Sequence, residues 1–382
     1  MTSQNLYLDI HIIQSVPPSC INRDDTGSPK TAFYGGVRRS RVSSQAWKRA
    51  ARANFKNHLN TDELGERTVV AVNQIATKIR ELRPDIEKNV ATDLAVKTLT
   101  ASGIKVKEPK AKKDENQKTT PVTGYLLFLS RRQITSLARL GLDSHDSGKA
   151  VTKKAAQAAV TNDRSIDIAL FGRMITDAPE LNSDATCQVA HALSVHPAIT
   201  EFDYFTASDD NKTADTAAAE MIGTVEFTSS TLYRYATINV PALVEQLGSL
   251  DAACRAVEAF IACFTLSMPT GKQNTFGNRT RPELIMVSLR EDQPVNFVGA
   301  FEDAIRSTSG YGEKAAIKLA EHATEDDRTY GTEPLAVRYV VSGSAATEPA
   351  KKALDEYGTS GDFREIMQFA VDSVKTRLGS QE

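Results

Sequence analysis

The basic side chains that could bind a polyanion are concentrated between Lys30 and Lys56. That stretch holds eight lysines and arginines and no acidic residue, whereas the whole chain has a formal net charge of −2. Because this stretch contributes +8, the rest of the chain sums to −10. A concentrated basic module in a mildly acidic protein is typical of a local polyanion site. The eight residues are Lys30, Arg38, Arg39, Arg41, Lys48, Arg49, Arg52 and Lys56.

The second half of this basic segment has the spacing of an amphipathic helix. We predict a helix over 44–59, with Ser43 and Ser44 at its cap. Basic groups in the first turns oppose the helix dipole, a cost that an anion bound at the free N–H groups would offset. At about 100° per residue, one narrow stripe is polar and the opposite side is apolar. The stripe comprises Gln45, Lys48, Arg49, Arg52 and Lys56, and the opposite side Trp47, Ala50 and Ala51.

Three further arginines, Arg38, Arg39 and Arg41, lie on a short predicted strand just before this helix. Strand and helix together predict a phosphate-binding surface, and the alternative is a solvated basic helix. The aromatic run that is typical of RNA-recognition sheets is missing from the sequence. We therefore expect contacts that are dominated by the nucleic-acid backbone and independent of base sequence.

A second feature is the segment 196–222, which has 27 residues, no clear period and a polar centre. It is too long for an ordinary connection. The apolar residues near its two ends either pack on the protein's own core or contact bases or a neighbouring subunit. A segment that folds back as a hairpin would bring them together. They are Phe202, Tyr204, Phe205, Met221 and Ile222.

Patterns that carry catalysis are weak in this sequence. Cys187, His191 and His196 are spaced by four and five residues, which fits a metal site without a fourth ligand. The alternative is a helix over 184–193 that simply buries Cys187. The sequence has neither Walker spacing nor a nucleophile elbow, and we assign no catalytic residue, no metal ligand and no cofactor.

Two aspartate pairs, Asp24-Asp25 and Asp209-Asp210, have the residue type that holds Mg²⁺ in nucleases. Paired aspartates are more common as turn residues. The main alternative function is therefore an RNA-cleaving nuclease with the same fold, either through a loop aspartate or through a general base near the phosphate.

Two histidines, His11 and His58, are the nearest candidates along the chain for such a base. His11 lies within a predicted strand and His58 near a helix end, so neither position favours the role. A protein that oligomerises without nucleic acid is a third possibility.

The order of elements predicts an α+β fold. Skipping the middle of the chain, the predicted elements run strand, helix, strand, strand, helix, strand. This βαββαβ order is the ferredoxin-like pattern of RNA-recognition domains, here interrupted by a large insertion over roughly residues 61–222. Within the insertion, the polar stretch 105–121 is expected to be a surface loop.

The composition is that of an ordinary globular protein of the cytoplasm. The chain is 41% hydrophobic and 25% charged and has four cysteines without CxxC spacing. No apolar run approaches the roughly 20 residues needed to cross a bilayer, and the first residues lack the features of a signal peptide. We expect reduced, buried cysteines and no membrane partner.

A co-linear series of motifs runs through the chain: SCINRDD, AFYGGVRRSRVSSQAWKRA, DIALFGRM, VAHALSVH, FDYFTASDD, GTVEFTSSTLYRYATIN and the GKQ of TGKQNTF. Together these motifs are similar to the backbone subunit of the type I-E CRISPR Cascade surveillance complex, the CasC family. The resemblance extends to about Leu289 and is weakest over 84–160 and in the C-terminal tail.

This resemblance implies an RRM-like palm over 1–60 and 223–382, a helical fingers insertion over 61–195 and a thumb loop over 196–222. It implies a non-catalytic subunit of antiviral defence that binds crRNA and oligomerises along it, with six copies in the usual assembly. The filament would present the guide for pairing with a target DNA strand, in a complex with other Cascade subunits.

Matching positions carry residue roles across from the family. The resemblance places Met174 against a base from the fingers side and puts Tyr204, Phe205 and Ile222 in the thumb, with Tyr204-Phe205 where the family commonly has Trp-Phe. It implies phosphate contacts at Lys30, Ser43, Gln45, Lys48 and Arg52. The full candidate RNA-binding set is Arg23, Lys30, Arg38, Arg39, Arg41, Ser43, Gln45, Lys48, Arg49, Arg52, Met174, Lys272 and Gln273.

Overall fold

The computed structural model describes residues 5–108, 120–207 and 221–379, and these residues form a mixed α+β fold, as predicted. The strands are β1 Tyr7–Ser19, β2 Thr31–Tyr34, β3 Val37–Val42, β4 Gly65–Thr68, β5 Val106–Lys107, β6 Val122–Thr123, β7 Leu127–Ser130, β8 Cys187–Val189, β9 Ala192–Ser194, β10 Glu201–Ala207, β11 Met221–Asn239, β12 Leu284–Arg290, β13 Ala336–Val341 and β14 Thr359–Ser360. The helices are α1 Ser44–Asn54, α2 Ala71–Leu82, α3 Lys88–Ser102, α4 Arg131–Ser147, α5 Lys153–Thr161, α6 Ile166–Phe171, α7 Val240–Leu247, α8 Leu250–Leu266, α9 Gln273–Phe276, α10 Gly312–Tyr330, α11 Glu348–Asp355 and α12 Phe363–Gly379.

Some sequence predictions fall outside the described residues. They are most of the surface loop over 105–121, the pair Asp209-Asp210, and the polar centre of the segment 196–222.

The chain divides into two compact units. The first is formed by the described parts of Met1–Asn54, Val189–Ile238 and Val257–Ser380. The second is formed by the described parts of Phe55–Gln188 together with Asn239–Ala256. The basic segment and strands β10 and β11 therefore belong mainly to the first unit.

The first unit is built on one large, mainly antiparallel sheet. Its strands follow the order β14-β13-β12-β1-β11-β9-β3-β2, and β10 also pairs with β11. Strand β1 lies inside the sheet and pairs antiparallel with β12, from Tyr7↔Arg290 to Ile13↔Leu284. Side chains on both faces of β1 are buried from Leu8 to Gln14, so the sheet is covered on both sides at this point.

Two charged side chains that this sheet buries, Asp9 and Arg290, have partners within the first unit. Asp9 accepts hydrogen bonds from the hydroxyl of Tyr235 at 3.0 Å and from the backbone N–H of Val295 at 2.9 Å. Arg290 of β12 forms a buried salt bridge with Asp327 at 2.7 Å. Burial raises the pKa of Asp9 to about 6, so the hydrogen bonds only partly offset the desolvation of its carboxylate.

The second unit is mainly helical. Helices α2, α3, α4 and α5 pack around an apolar core, and β4 pairs antiparallel with β7 beside them. Helix α4 begins with a capping box, in which the Ser130 hydroxyl accepts the backbone N–H of Gln133 and the Gln133 side chain accepts the Ser130 N–H. The core residues include Val72, Ile75, Ile79, Leu94, Leu99 and Leu137.

Strands β2 and β3 form a hairpin that closes through the glycine pair Gly35-Gly36. Both glycines have positive φ, 58° and 75°, which is the geometry of a two-residue type I′ turn. A Cβ atom added at Gly35 would lie 1.6 Å from the backbone oxygen of Glu302, whereas one added at Gly36 would meet no described atom within 4 Å. The turn is therefore packed directly on the chain at residue 302.

This packing predicts unequal costs for the two glycines. Gly36→Ala should lower the free energy of unfolding by about 1 kcal/mol, because its only penalty is the positive φ. Gly35→Ala should cost at least about 2 kcal/mol more, because the turn must move away from residue 302. Urea unfolding of the two variants measures both values, and equal losses would contradict this packing.

Candidate nucleic-acid interface

Helix α1 has the two faces that its spacing predicts. It spans Ser44–Asn54 and is followed by a short 3-10 turn, so it ends earlier than the predicted residue 59. Ser43 caps it, since its hydroxyl accepts the backbone N–H of Ala46 at 3.3 Å. Trp47 and Ala51 are buried, whereas Gln45 and Arg49 are exposed and Lys48 and Arg52 are half-buried. Lys56 lies in the turn after the helix and is exposed.

The inner face of α1 is held by a buried arginine of strand β11. The guanidinium carbon of Arg234 lies 3.7 Å from the ring centroid of Trp47 and 4.6 Å from that of Phe264. Arg234 donates to the Gln14 side chain at 2.5 Å and to the carbonyl oxygen of Phe264. Burial lowers its pKa to about 9, so the side chain remains a cation at neutral pH. Trp47 is therefore a core residue, and α1 is fixed from below by a cation–π contact.

The loop before β2 is organised by Asp24. Its carboxylate accepts hydrogen bonds from the hydroxyl of Thr26 at 2.7 Å and from the backbone N–H groups of Thr26 and Ser28, both at 3.0 Å. These bonds, led by the Thr26 hydroxyl, lower the pKa of Asp24. The geometry is that of an Asx turn, which supports the turn interpretation of this aspartate.

The same loop is tied to the start of α1. The side-chain oxygen of Asn22 accepts the backbone N–H of Ser43 at 2.8 Å, and its carbonyl oxygen accepts the N–H of Lys30 at 2.9 Å. The carbonyl oxygen of Lys30 in turn accepts the N–H of Arg41 at 2.9 Å. These hydrogen bonds therefore hold Lys30, Arg41 and Ser43 close together, although they are separated along the chain.

A second loop brings Lys272 to this region. A Cβ atom added at Gly271 would lie 2.4 Å from the carbonyl oxygen of Ile21 and 2.7 Å from that of Cys20, so the two loops are in direct backbone contact. Burial raises the pKa of the Cys20 thiol, and the nearby cations Arg23 and Lys272 oppose that rise. The structure therefore places Arg23 and Lys272 around the same cysteine. Gln273, the first residue of α9, is exposed beside them in sequence.

His191 lies beside Arg41 at the start of α1. Its Nδ1 accepts the backbone N–H of Ser44 at 3.3 Å and lies 3.4 Å from Nη1 of Arg41. Burial lowers the pKa of His191, and the positive charges of Arg41, Lys30 and Lys48 lower it further. Arg41 therefore contacts this imidazole at the N-terminus of α1, and Lys30 and Lys48 are close enough to act on it electrostatically. The sequence offered His191 only as a metal ligand, and its distance of 147 positions from Ser44 hid this placement.

The structure corrects the role predicted for Arg39. This side chain is fully buried, and it donates to the carbonyl oxygens of Ser194 at 2.9 Å, Phe301 at 2.7 Å and Glu302 at 2.9 Å. Strand alternation turns Arg39 inward and its neighbour Arg38 outward, so only Arg38 is exposed. Arg39 is a structural residue and does not belong to the candidate interface.

The two adjacent arginines should therefore respond oppositely to substitution. Arg39→Met should lower the free energy of unfolding by about 3 kcal/mol, because it leaves several buried carbonyl oxygens without a donor. Arg38→Met should change stability by less than about 0.5 kcal/mol, as expected for an exposed side chain. Urea unfolding of both variants tests this, and comparable losses would show that Arg39 is not an anchor.

The described parts of the segment 196–222 include a two-stranded arm, formed by β10 and the start of β11. Strand β10 pairs antiparallel with β11 from Glu201↔Phe227 to Ala207↔Met221. Phe202 and Tyr204 are 67% and 64% exposed, so they do not pack on the protein's own core. Phe205 is also partly exposed, and its ring lies over Gly223, where an added Cβ would approach it to 2.4 Å. Met221 and Ile222 lie on β11, opposite Ala207 and Thr206.

Met174 lies in the second unit and is 80% exposed. Its neighbour Arg173 is buried and donates to the carbonyl oxygens of Phe128 at 3.3 Å, Val160 at 3.1 Å and Leu181 at 2.8 Å. Burial lowers the pKa of Arg173 to about 10. An anchored arginine therefore holds the backbone from which Met174 projects, a role that the sequence did not indicate.

Among the described residues, the candidates for a metal site or a general base lie in separate surroundings. Cys187 begins strand β8 and His191 lies between β8 and β9, so the predicted helix over 184–193 is wrong. Cys187 is nevertheless buried, as that alternative expected. Within residues 5–108, 120–207 and 221–379, no three His, Cys, Asp or Glu side chains are placed to hold a metal ion together. His11 is fully buried, its Nδ1 lies 2.9 Å from the Tyr233 hydroxyl, and burial lowers its pKa to about 3. His58 is exposed after α1.

Among the helices of the described residues, none is both long and apolar enough to span a bilayer.

Two known structures with a similar fold are chains of CRISPR complexes. One is a chain of a CRISPR RNA-guided surveillance complex in a pre-nicking state, with 30% identity and a TM-score of 0.82 over 96% of this chain and 100% of that one. Another is a chain of a CRISPR RNA-guided surveillance complex, with 28% identity and a TM-score of 0.73 over 96% of this chain and 99% of that one. We found no match among curated protein sequences.

The fold therefore defines the chain as a relative of surveillance-complex subunits. The family model described as CT1975-like protein matches residues 8–368, and the chain belongs to that family. The resemblance that the sequence motifs indicated is confirmed.

Proposed function

We propose that this protein is a crRNA-binding backbone subunit of a Cascade-type surveillance complex. The observation that carries the proposal is the group of cations at the capped N-terminus of α1, where Arg41 lies 3.4 Å from His191 and the charges of Lys30 and Lys48 act on the same imidazole. Three cations near the N-terminus of a helix supply positive charge that suits a phosphate of single-stranded RNA. The remaining contacts along the guide are assigned to Arg23, Arg38, Ser43, Gln45, Arg49, Arg52, Lys272 and Gln273.

The strand order supports an RRM-like palm. Along the chain, α1 follows β1, and α8 lies between β11 and β12. In the sheet the order β12-β1-β11-β9 corresponds to 4-1-3-2, the arrangement of a ferredoxin-like βαββαβ fold. In this proposal the first unit is the palm, the mainly helical second unit is the fingers, and the β10–β11 arm belongs to the thumb.

The proposed partners follow from this assignment. The palm binds crRNA, the exposed aromatic residues of the arm contact the guide or a neighbouring copy, and Met174 contacts a base from the fingers. Several copies of the chain line the guide, six in the usual assembly of type I-E Cascade complexes. Together with other Cascade subunits, they present the guide to a target DNA strand. The role is that of a scaffold without catalysis.

Salt dependence tests the phosphate contacts. If about five phosphates are neutralised per subunit, log K should fall against log salt with a slope of about −3 to −4 for single-stranded RNA. Lys48→Ala and Arg49→Ala should each weaken binding regardless of base sequence and flatten that slope by about 0.7. Fluorescence anisotropy with a labelled RNA measures both quantities.

Lys352→Ala is the matched control, because Lys352 is an exposed lysine of α11 outside the basic segment. It should leave affinity and slope unchanged. An identical slope in the wild type and in both interface variants would contradict the proposed interface.

The nuclease alternative has a separate test. The double variant Asp24→Asn, Asp25→Asn keeps an acceptor oxygen for the Asx turn at residue 24 but removes both negative charges. Incubation of wild type and variant with labelled RNA and Mg²⁺ should leave the RNA intact in both cases, with equal binding. Mg²⁺-dependent cleavage by the wild type that is lost in the variant would replace the scaffold assignment with a nuclease.

A further inference from the structure

The β2–β3 hairpin carries an exposed aromatic side chain beside an arginine. Phe33 is 74% exposed, and it lies directly opposite Arg38 in the antiparallel register. The guanidinium carbon of Arg38 is 5.3 Å from the centroid of the Phe33 ring. The two side chains thus offer a combined aromatic and guanidinium surface to solvent.

The hairpin beneath this surface is held firmly. The Tyr34 hydroxyl donates to the carbonyl oxygen of Val298 at 3.3 Å, Arg39 bonds three carbonyl oxygens below, and Gly35 contacts the backbone of Glu302. A large apolar ring that stands on a fixed support and stays exposed is suited to a ligand that covers it, because no rearrangement of the backbone is needed.

We propose that Phe33 and Arg38 form a stacking platform for an unpaired nucleobase of the bound RNA, an inference that rests on the proposed function. Bases stack on aromatic rings and on guanidinium planes with little dependence on sequence. The platform would add a base contact to an interface whose other candidate residues in the palm mostly contact phosphates.

Charge favours nucleic acid over a second copy that docks through its own hairpin as the occupant. The platform belongs to the segment 30–56, which has no acidic residue, and strand β3 leads from Arg38 through Arg41 to α1. A polyanion that follows this path would pass the hairpin. Two copies that met through the same hairpin would bring like charges together.

The first test measures tryptophan fluorescence, in which Trp47, the single tryptophan of the chain, gives the background emission. Trp47 is buried, so Phe33→Trp adds an exposed indole whose emission should be quenched when single-stranded RNA stacks on it, with affinity retained. Phe33→Leu keeps an apolar side chain but loses the aromatic face. It should weaken RNA binding about ten-fold, without changing the salt slope, because no phosphate contact is lost.

An abasic oligonucleotide separates base stacking from backbone contact. Wild type and Phe33→Leu should bind it equally, whereas they differ on ordinary RNA. Equal affinity of both proteins for ordinary RNA, together with unquenched emission of the Phe33→Trp variant, would overturn the platform while leaving the phosphate interface intact.

Two further outcomes are distinguishable. A change in the RNA-free sedimentation of the Phe33 variants, without a change in RNA affinity, would assign this surface to contacts between copies and overturn the platform. Failure of the wild type to bind RNA would overturn both the platform and the proposed function. Equal urea midpoints for wild type and variants establish that all of these proteins are folded.

Discussion

A single buried cation connects the elements on which the candidate interface depends. The Arg234 guanidinium contacts Trp47 of α1, donates to Gln14 of β1 and donates to the Phe264 carbonyl of α8. Its charge is compensated by π faces and neutral oxygens, which suits the weakly hydrated guanidinium better than it would suit an ammonium. Helix α1 can carry basic residues along its outer face because its inner face is fixed by this contact.

Buried arginines serve the same purpose elsewhere in the chain. Arg39 gathers the carbonyl oxygens of residues 194, 301 and 302, and Arg173 gathers those of residues 128, 160 and 181. Each one lies next to an exposed side chain, Arg38 and Met174, that we assign to nucleic acid. In both pairs a buried arginine fixes the backbone next to an exposed side chain. The exposed side chain therefore projects from a position that is already fixed.

Local geometry explains what the sequence could predict. The faces of α1, the buried position of Trp47 and the hairpin at Gly35-Gly36 depend on residue spacing and backbone preferences over a few positions. The burial of Arg39 depends on hydrogen bonds to carbonyl oxygens more than 150 positions away, so the number of basic residues in the segment cannot predict it. The strands found in place of the helix considered over 184–193 also form through distant partners, since Ser194 of β9 pairs with Leu232 of β11. The placement of His191 has the same cause.

The length of β11 has a mechanical consequence. This strand runs without interruption from Met221 to Asn239, so that the part paired with β10 in the arm continues into the part that pairs with β9 and carries the buried Tyr233 and Tyr235. A pull along the axis of the arm is therefore transmitted through a continuous backbone. It loads the inter-strand hydrogen bonds of the sheet in shear, because these bonds lie perpendicular to the strand. The arm behaves as a cantilever clamped in the core, and its stiffness is set by the sheet from which it extends.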